Sequence, residues 1–317
     1  MFSMITACYW EKDPATFVKY ILPHVDAVLV RVEWNAIELS KGVYNFAVLD
    51  SAISRWTAYG KKVVVIAELV SDNIVAGGPN AATPAYVLAQ STIVTCSYNP
   101  HGVPVPWTAG FMLPAQSFIA AVLKHLSGNP DIFYVRIGFV EGGETCPICV
   151  FQWPNWSWPN FLTYIKTMCQ FSAAVGAKVQ FTQGAGGPSP AGFDAERFAV
   201  YIASGLGIGM QALSAADVVA HETTGALCLA DWCAAFAAYP KAFKYLQTAN
   251  AEPPGSLCTS LSFAKQFKVN SFEIYCEYLD IAYNPGNPAH AKWGAPYAAA
   301  LANLNNLSQG QRLITVT

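Results

Sequence analysis

The chain has 317 residues, a formal net charge of −2, 12% charged residues and 53% hydrophobic ones. A charged share about half the usual one leaves apolar residues for a large core, and the near-neutral balance, with no basic run, excludes a nucleic-acid partner. No apolar run reaches the about 18 residues that a membrane helix needs, so no membrane partner is expected.

The start, Met1 to Trp10, has no basic region and meets Glu11, Lys12 and Asp13 at once, unlike a signal peptide, so the chain reads as soluble. Its nine cysteines are odd in number, and Cys8, Cys169, Cys228 and Cys276 sit in apolar contexts. That usage fits small buried hydrophobes in a reducing compartment and favours the cytoplasm over export. Cys146-Pro-Ile-Cys149 lacks the second Cys or His pair of a zinc site. No metal and no cofactor are expected.

In chain order, Met4 to Tyr9 is a short apolar run and Pro14 to Ile21 has helical spacing. Asp26 to Trp34 is a strand carrying Arg31, Glu33 and Trp34 at its end. A loop, Asn35 to Phe46, precedes a helix from Ala47 to Tyr59 that Gly60 closes. Val63 to Ala67 is a buried-type strand ending on Glu68, which completes a βαβ unit. Residues 70 to 114 form a long irregular connection, and Pro114 to Leu126 a helix. The strand from Ile132 to Val140 runs into Glu141-Gly-Gly-Glu144, where paired glycines allow a sharp turn. A loop with Trp153, Trp156 and Trp158 follows, then a helix from Asn160 to Ala174. Strand-like Ala177–Thr182, Gly207–Leu213, Phe243–Ala249 and Ser271–Cys276 alternate with helical Phe193–Ala203, Leu229–Ala238 and Leu257–Phe267. Pro296 to Leu304 is a last helix.

Eight strands, each followed by a helix, predict an α/β chain folded as one (β/α)8 TIM barrel over residues 1–317, with a long irregular loop region after the third strand. A doubly wound sheet competes, but no Gly-rich phosphate fingerprint follows an early strand. Catalytic groups of such a barrel sit at the C-terminal ends of strands. Glu33, Glu68, Glu141, Glu144, Glu252 and Glu277 all fall there, a large share of only 20 acidic residues. Paired carboxylates are the equipment for cleaving a glycosidic bond. Trp153, Gln211 and Tyr275 complete the set expected to line or support such a pocket.

The segment Arg31-Val-Glu33-Trp34, with Ile37-Glu38, Gly42-Val-Tyr44-Asn-Phe46 and Leu49-Asp50, resembles the second-strand region of clan A glycoside hydrolases. Ile137-Gly138-Phe139 to Gly143-Glu144, with Pro147, is similar to the fourth strand of β-amylases. The resemblance implies a (β/α)8 barrel, an oligosaccharide or glycoside substrate, a general acid at the end of the fourth strand and a second carboxylate at the end of the seventh. Glu144 takes the first role, with Glu141 as its rival. Glu252 takes the second, with Glu273 and Glu277 as rivals. Arg31 resembles the arginine that supports the clan's nucleophile. The expected reaction is hydrolysis of a β-linked sugar with retention. Other readings are a β-amylase-like inverting enzyme, a barrel that binds carbohydrate without cleaving it, and a metal-dependent hydrolase or isomerase using Glu33, Glu68, His101 and His221. No oligomeric state is implied.

Overall fold

The computed structural model describes residues 4–8, 14–71, 82–95, 102–140, 153–175, 179–181, 193–216, 218, 233–234, 236–248, 252–264 and 269–305. Eight strands form the main ladder there: β1 (Met4–Cys8), β2 (Ala27–Glu33), β3 (Lys62–Glu68), β4 (Ile132–Ile137), β5 (Val179–Phe181), β6 (Ile208–Leu213), β7 (Lys244–Thr248) and β8 (Ser271–Ile274). The long helices are α1 (Ala47–Thr57), α2 (Ala109–Leu126), α3 (Trp158–Val175), α4 (Phe193–Ala203), α5 (Ser256–Ala264), α6 (Cys276–Tyr283) and α7 (His290–Asn305). None of the described helices is long and apolar enough to cross a membrane.

The chain divides into two compact units. The first comprises Met1–Val30, Trp56–Val64 and Gly209–Thr317, and the second Arg31–Arg55 and Val65–Ile208. β2, β3 and β6 contribute residues to both. In the first unit the ladder runs β6-β7-β8-β1-β2, and β1 pairs in parallel with β8 (Met4 opposite Ser271) and with β2 (Thr6 opposite Ala27). β7 and β8 are parallel too, with Gln247 opposite Glu273. In the second unit the order is β2-β3-β4-β5, and β4 and β5 are parallel, with Arg136 opposite Gln180. Parallel strands covered on both faces require continuous apolar runs rather than alternation. Val63, Val64, Val65, Ile66 and Ala67 are all buried accordingly.

The helices of each unit bury apolar side chains. In the first, Phe17 meets Trp56 edge-on with ring centroids 5.2 Å apart, and Leu279, Tyr297 and Leu301 are fully buried. In the second, α2 buries Phe111, Phe118, Ile119 and Val122, and α3 buries Phe161, Ile165 and Met168. Cys169 and Cys276 are buried thiols, as their apolar contexts imply; burial pushes the Cys169 thiol well above its ordinary range.

Several boundaries differ from the sequence reading. The expected loop from Asn35 to Phe46 contains a helical turn, Trp34–Ile37, and a two-stranded hairpin, Glu38–Ser40 with Val43–Tyr44. The helix expected to begin at Pro114 begins at Ala109 and carries that proline inside it. Proline lacks the N–H that would bond the carbonyl of Gly110. Gln90 Nε2 donates to that carbonyl instead, at 3.1 Å, so the interior proline leaves no orphan acceptor. α6 is an additional helix, and α7 starts at His290 rather than at Pro296.

Candidate functional site

In the second unit, the ends of β2 and β3 carry a forked ion pair. Arg31 Nε donates to Glu68 Oε2 at 2.5 Å, and Arg31 Nη2 donates to Glu68 Oε1. The Glu68 side chain is fully buried, whereas that of Arg31 is 22% exposed. A carboxylate that deep stays charged only with a well-formed partner, and the planar guanidinium fork supplies one on both oxygens. Arg31 thus supports a strand-end carboxylate, and the one that it holds within this unit is Glu68. Glu33, the last residue of β2, is half-buried beside this pair in sequence.

Trp34 turns away from the strand into the following helical turn and is fully buried. Its ring stacks on Phe118 (centroids 5.3 Å apart) and meets Phe111 edge-on (5.9 Å). Its indole N–H donates to Glu38 Oε2 at 2.5 Å. Glu38 Oε1 accepts the Gly42 amide and the Tyr86 hydroxyl, each at 2.7 Å. Glu38 is 2% exposed; its three donors explain how a carboxylate is accommodated at that depth. The Trp and Ile-Glu of the second-strand segment therefore form a brace under the strand end, a supporting role for Trp34. Nothing in the spacing alone reveals Glu38 as its partner.

Trp153 belongs to an aromatic cluster. It meets Trp107 edge-on at 5.3 Å and Trp156 at 5.5 Å, and it packs against Phe161 at 6.2 Å. Trp156 in turn touches Trp158 at 5.1 Å. Trp153 is 3% exposed and its buried indole N–H has no acceptor among the described residues. The loop tryptophans pack chiefly on one another, with Trp107, Trp156 and Trp158 half-buried at the surface of the cluster.

In the first unit, Glu252 lies shortly past β7 and is half-buried. Its Oε1 accepts the amide of Ala215 at 2.8 Å. Ala215 follows the end of β6, so a backbone N–H from one strand end fixes the carboxylate at the next. Tyr278, on α6, is the second neighbour. Burial first, and the Glu252 charge in addition, hold its phenol well above the ordinary tyrosine range. The phenol stays protonated at neutral pH, a neutral donor beside an acidic group. Sequence reasoning missed both partners: Ala215 is a backbone donor, and Tyr278 lies on the unanticipated α6.

Among the rivals of Glu252, Glu273 is fully buried within β8 and Glu277 is exposed in the first turn of α6, where a carboxylate suits the helix dipole. Tyr275 lies between them, and its amide donates to Thr248 Oγ1 at 3.3 Å, tying the end of β8 to that of β7. Gln211 occupies a position on β6. Glu141, Glu144, Cys146, Cys149, His101 and His221 lie outside the described residues.

No family model and no curated protein matches the sequence. Solved structures do match its fold. The catalytic domain of β-amylase from Paenibacillus polymyxa aligns with a TM-score of 0.61 at 9% identity, over 86% of this chain and 90% of that one. A glycosylated endo-β-1,4-xylanase of glycoside hydrolase family 10 from Gloeophyllum trabeum aligns at 0.51 and 12% identity, over 99% and 83%. Native xylanase 10B from Thermotoga maritima aligns at 0.52 and 10% identity, over 100% and 82%. At such identities the likeness is one of fold: this chain shares its alternating α/β architecture with a β-amylase and two xylanases.

Proposed function

We propose that the chain is a glycoside hydrolase built as one (β/α)8 barrel, acting on an oligosaccharide or glycoside through two glutamates. The observation that carries the reading is a carboxylate, Glu252, fixed by the Ala215 amide just past β7 in a chain whose fold matches β-amylase and xylanase structures over most of its length. Glu252 attacks the anomeric carbon of a β-linked sugar. Glu144 protonates the departing glycosidic oxygen and then takes a proton from the water that releases the sugar from Glu252. Arg31 and Glu68 shape the ends of β2 and β3, and the Trp34–Glu38 brace keeps that region rigid. The likeness to β-amylase favours one alternative, an inverting enzyme in which Glu252 instead activates a water. A carboxyl separation of about 5–5.5 Å goes with retention and about 6.5–9.5 Å with inversion.

The test is hydrolysis of xylo-oligosaccharides, malto-oligosaccharides and aryl β-glycosides, with the anomer of the first product read by proton NMR. Glu252→Gln should lower kcat by roughly 10⁴-fold or more, the scale of losing a nucleophile. Wild-type protein that binds these sugars without cleaving any of them would sink the hydrolase reading, as would full activity in Glu252→Gln.

A further inference from the structure

Within the second unit a cavity of about 290 Å³ opens between the hairpin after Ile37, the segment around Tyr86 and Gln90, and the first turns of α2. It uses none of the carboxylates given to the reaction above. Its charges balance: Glu38, held by three donors, contributes a fixed negative charge, and exposed Lys41 contributes a positive one. An anion meets Glu38 and a cation meets Lys41, so neither is favoured over an uncharged ligand. Hydrogen-bonding capacity is nevertheless high. The Lys41 ammonium and the Tyr44 hydroxyl make no hydrogen bond among the described residues. Gln90 spends its amide N–H on the Gly110 carbonyl and keeps its oxygen as an acceptor. Ser117 donates to the Leu113 carbonyl and keeps its lone pairs.

Beside these groups stand two tyrosine rings, Pro114 and Leu113, the last 56% exposed. Donors, acceptors and apolar faces with no net charge match a molecule that has hydroxyls around its edge and C–H faces above and below. The volume lies at the small end of the about 300–1,000 Å³ usual for ligand sites, enough for a single ring. We propose that this cavity is an auxiliary binding site for one neutral sugar ring, free or as one unit of a longer chain. The inference goes beyond the hydrolase reading and does not rest on it.

The experiment measures binding, not turnover. Saturation-transfer NMR and calorimetry with D-xylose, D-glucose, xylobiose and maltose compare the wild type with Lys41→Ala, Tyr44→Phe and Glu252→Gln. Lys41 makes no hydrogen bond among the described residues, and Tyr44→Phe keeps the ring that stacks on Phe46, so melting temperatures should not change. Binding should persist in Glu252→Gln and weaken about tenfold in each of the other two, the loss expected for one hydrogen bond. Failure of the wild type to bind any of the four sugars overturns the proposal. So does binding that survives both cavity substitutions, or that vanishes in Glu252→Gln alone. Tighter binding of glucuronate or glucosamine than of glucose overturns the neutral-ligand assignment. Binding here without hydrolysis anywhere would remove the hydrolase reading and leave this site standing.

Discussion

Replacing Glu38 tests whether the second-strand segment is a structural brace. In Glu38→Ala the Trp34 indole N–H loses its acceptor while fully buried, and a hydrogen bond to a charged group contributes about 1.5–3 kcal/mol. The Gly42 amide and the Tyr86 hydroxyl lie nearer solvent and recover part of their loss from water, which leaves about 0.5–1 kcal/mol each. The void left by the side chain adds about 1 kcal/mol. The sum is about 3.5–6 kcal/mol. Glu38→Gln keeps the shape and one acceptor oxygen, so it should cost about half as much, and Tyr86→Phe about 1 kcal/mol. Urea unfolding, followed by tryptophan fluorescence and far-ultraviolet circular dichroism together, measures each loss, provided that the two probes coincide. A loss below about 1 kcal/mol in Glu38→Ala would refute the reasoning. So would a Tyr86→Phe effect that is as large in the Glu38→Ala background as in the wild type, because the two groups would then not be coupled.

Three further substitutions probe other parts of the fold. A methyl group at Gly110 would stand 2.0 Å from the Gln90 carbonyl oxygen, so Gly110→Ala should destabilise by about 1–3 kcal/mol, whereas relief of helical glycine alone would stabilise; a higher urea midpoint would contradict the close approach. Trp153→Ala empties the centre of the aromatic cluster and should cost about 3–5 kcal/mol, whereas a change confined to KM would make Trp153 a substrate platform instead. Burial first, and the Lys61 ammonium second, hold the His24 imidazole below its ordinary 6.5. Below that pH the unfolded chain takes up this proton more readily than the folded one, so stability present above 6.5 is lost as the pH falls. His24→Phe, which keeps a ring stacked on Tyr283, should show a smaller drop in melting temperature between about pH 7.5 and pH 5.5; an equal drop would discount His24.

The eight strands of the main ladder among the described residues were legible in the sequence because buried parallel strands are short apolar runs set off by polar turns. Val63 to Ala67, and Ile132, Tyr134, Val135 and Ile137, owe their burial to apolar composition. Helix starts were less legible where a proline stood inside the helix, since proline signals a start in isolation and only a neighbour such as Gln90 makes an interior position acceptable. The hairpin at Glu38–Tyr44 was hidden because its two strands are short and its stabilising carboxylate looks like any surface glutamate.

Taken alone, the sequence determined the eight strands of the main ladder among the described residues and their alternation with helices, and it put Glu33 and Glu68 at strand ends and Glu252 shortly past one, because each of these depends on local apolar patterning. Only the tertiary structure decided which groups those carboxylates meet. Arg31 and Glu68 are 37 positions apart, as are Ala215 and Glu252, and Tyr86 reaches Glu38 across 48. Such pairings are set by how neighbouring strand ends are brought together, and no periodicity in the chain encodes them. The same folding places Trp34 and Trp153 among other aromatic rings, where their large apolar surfaces are removed from water.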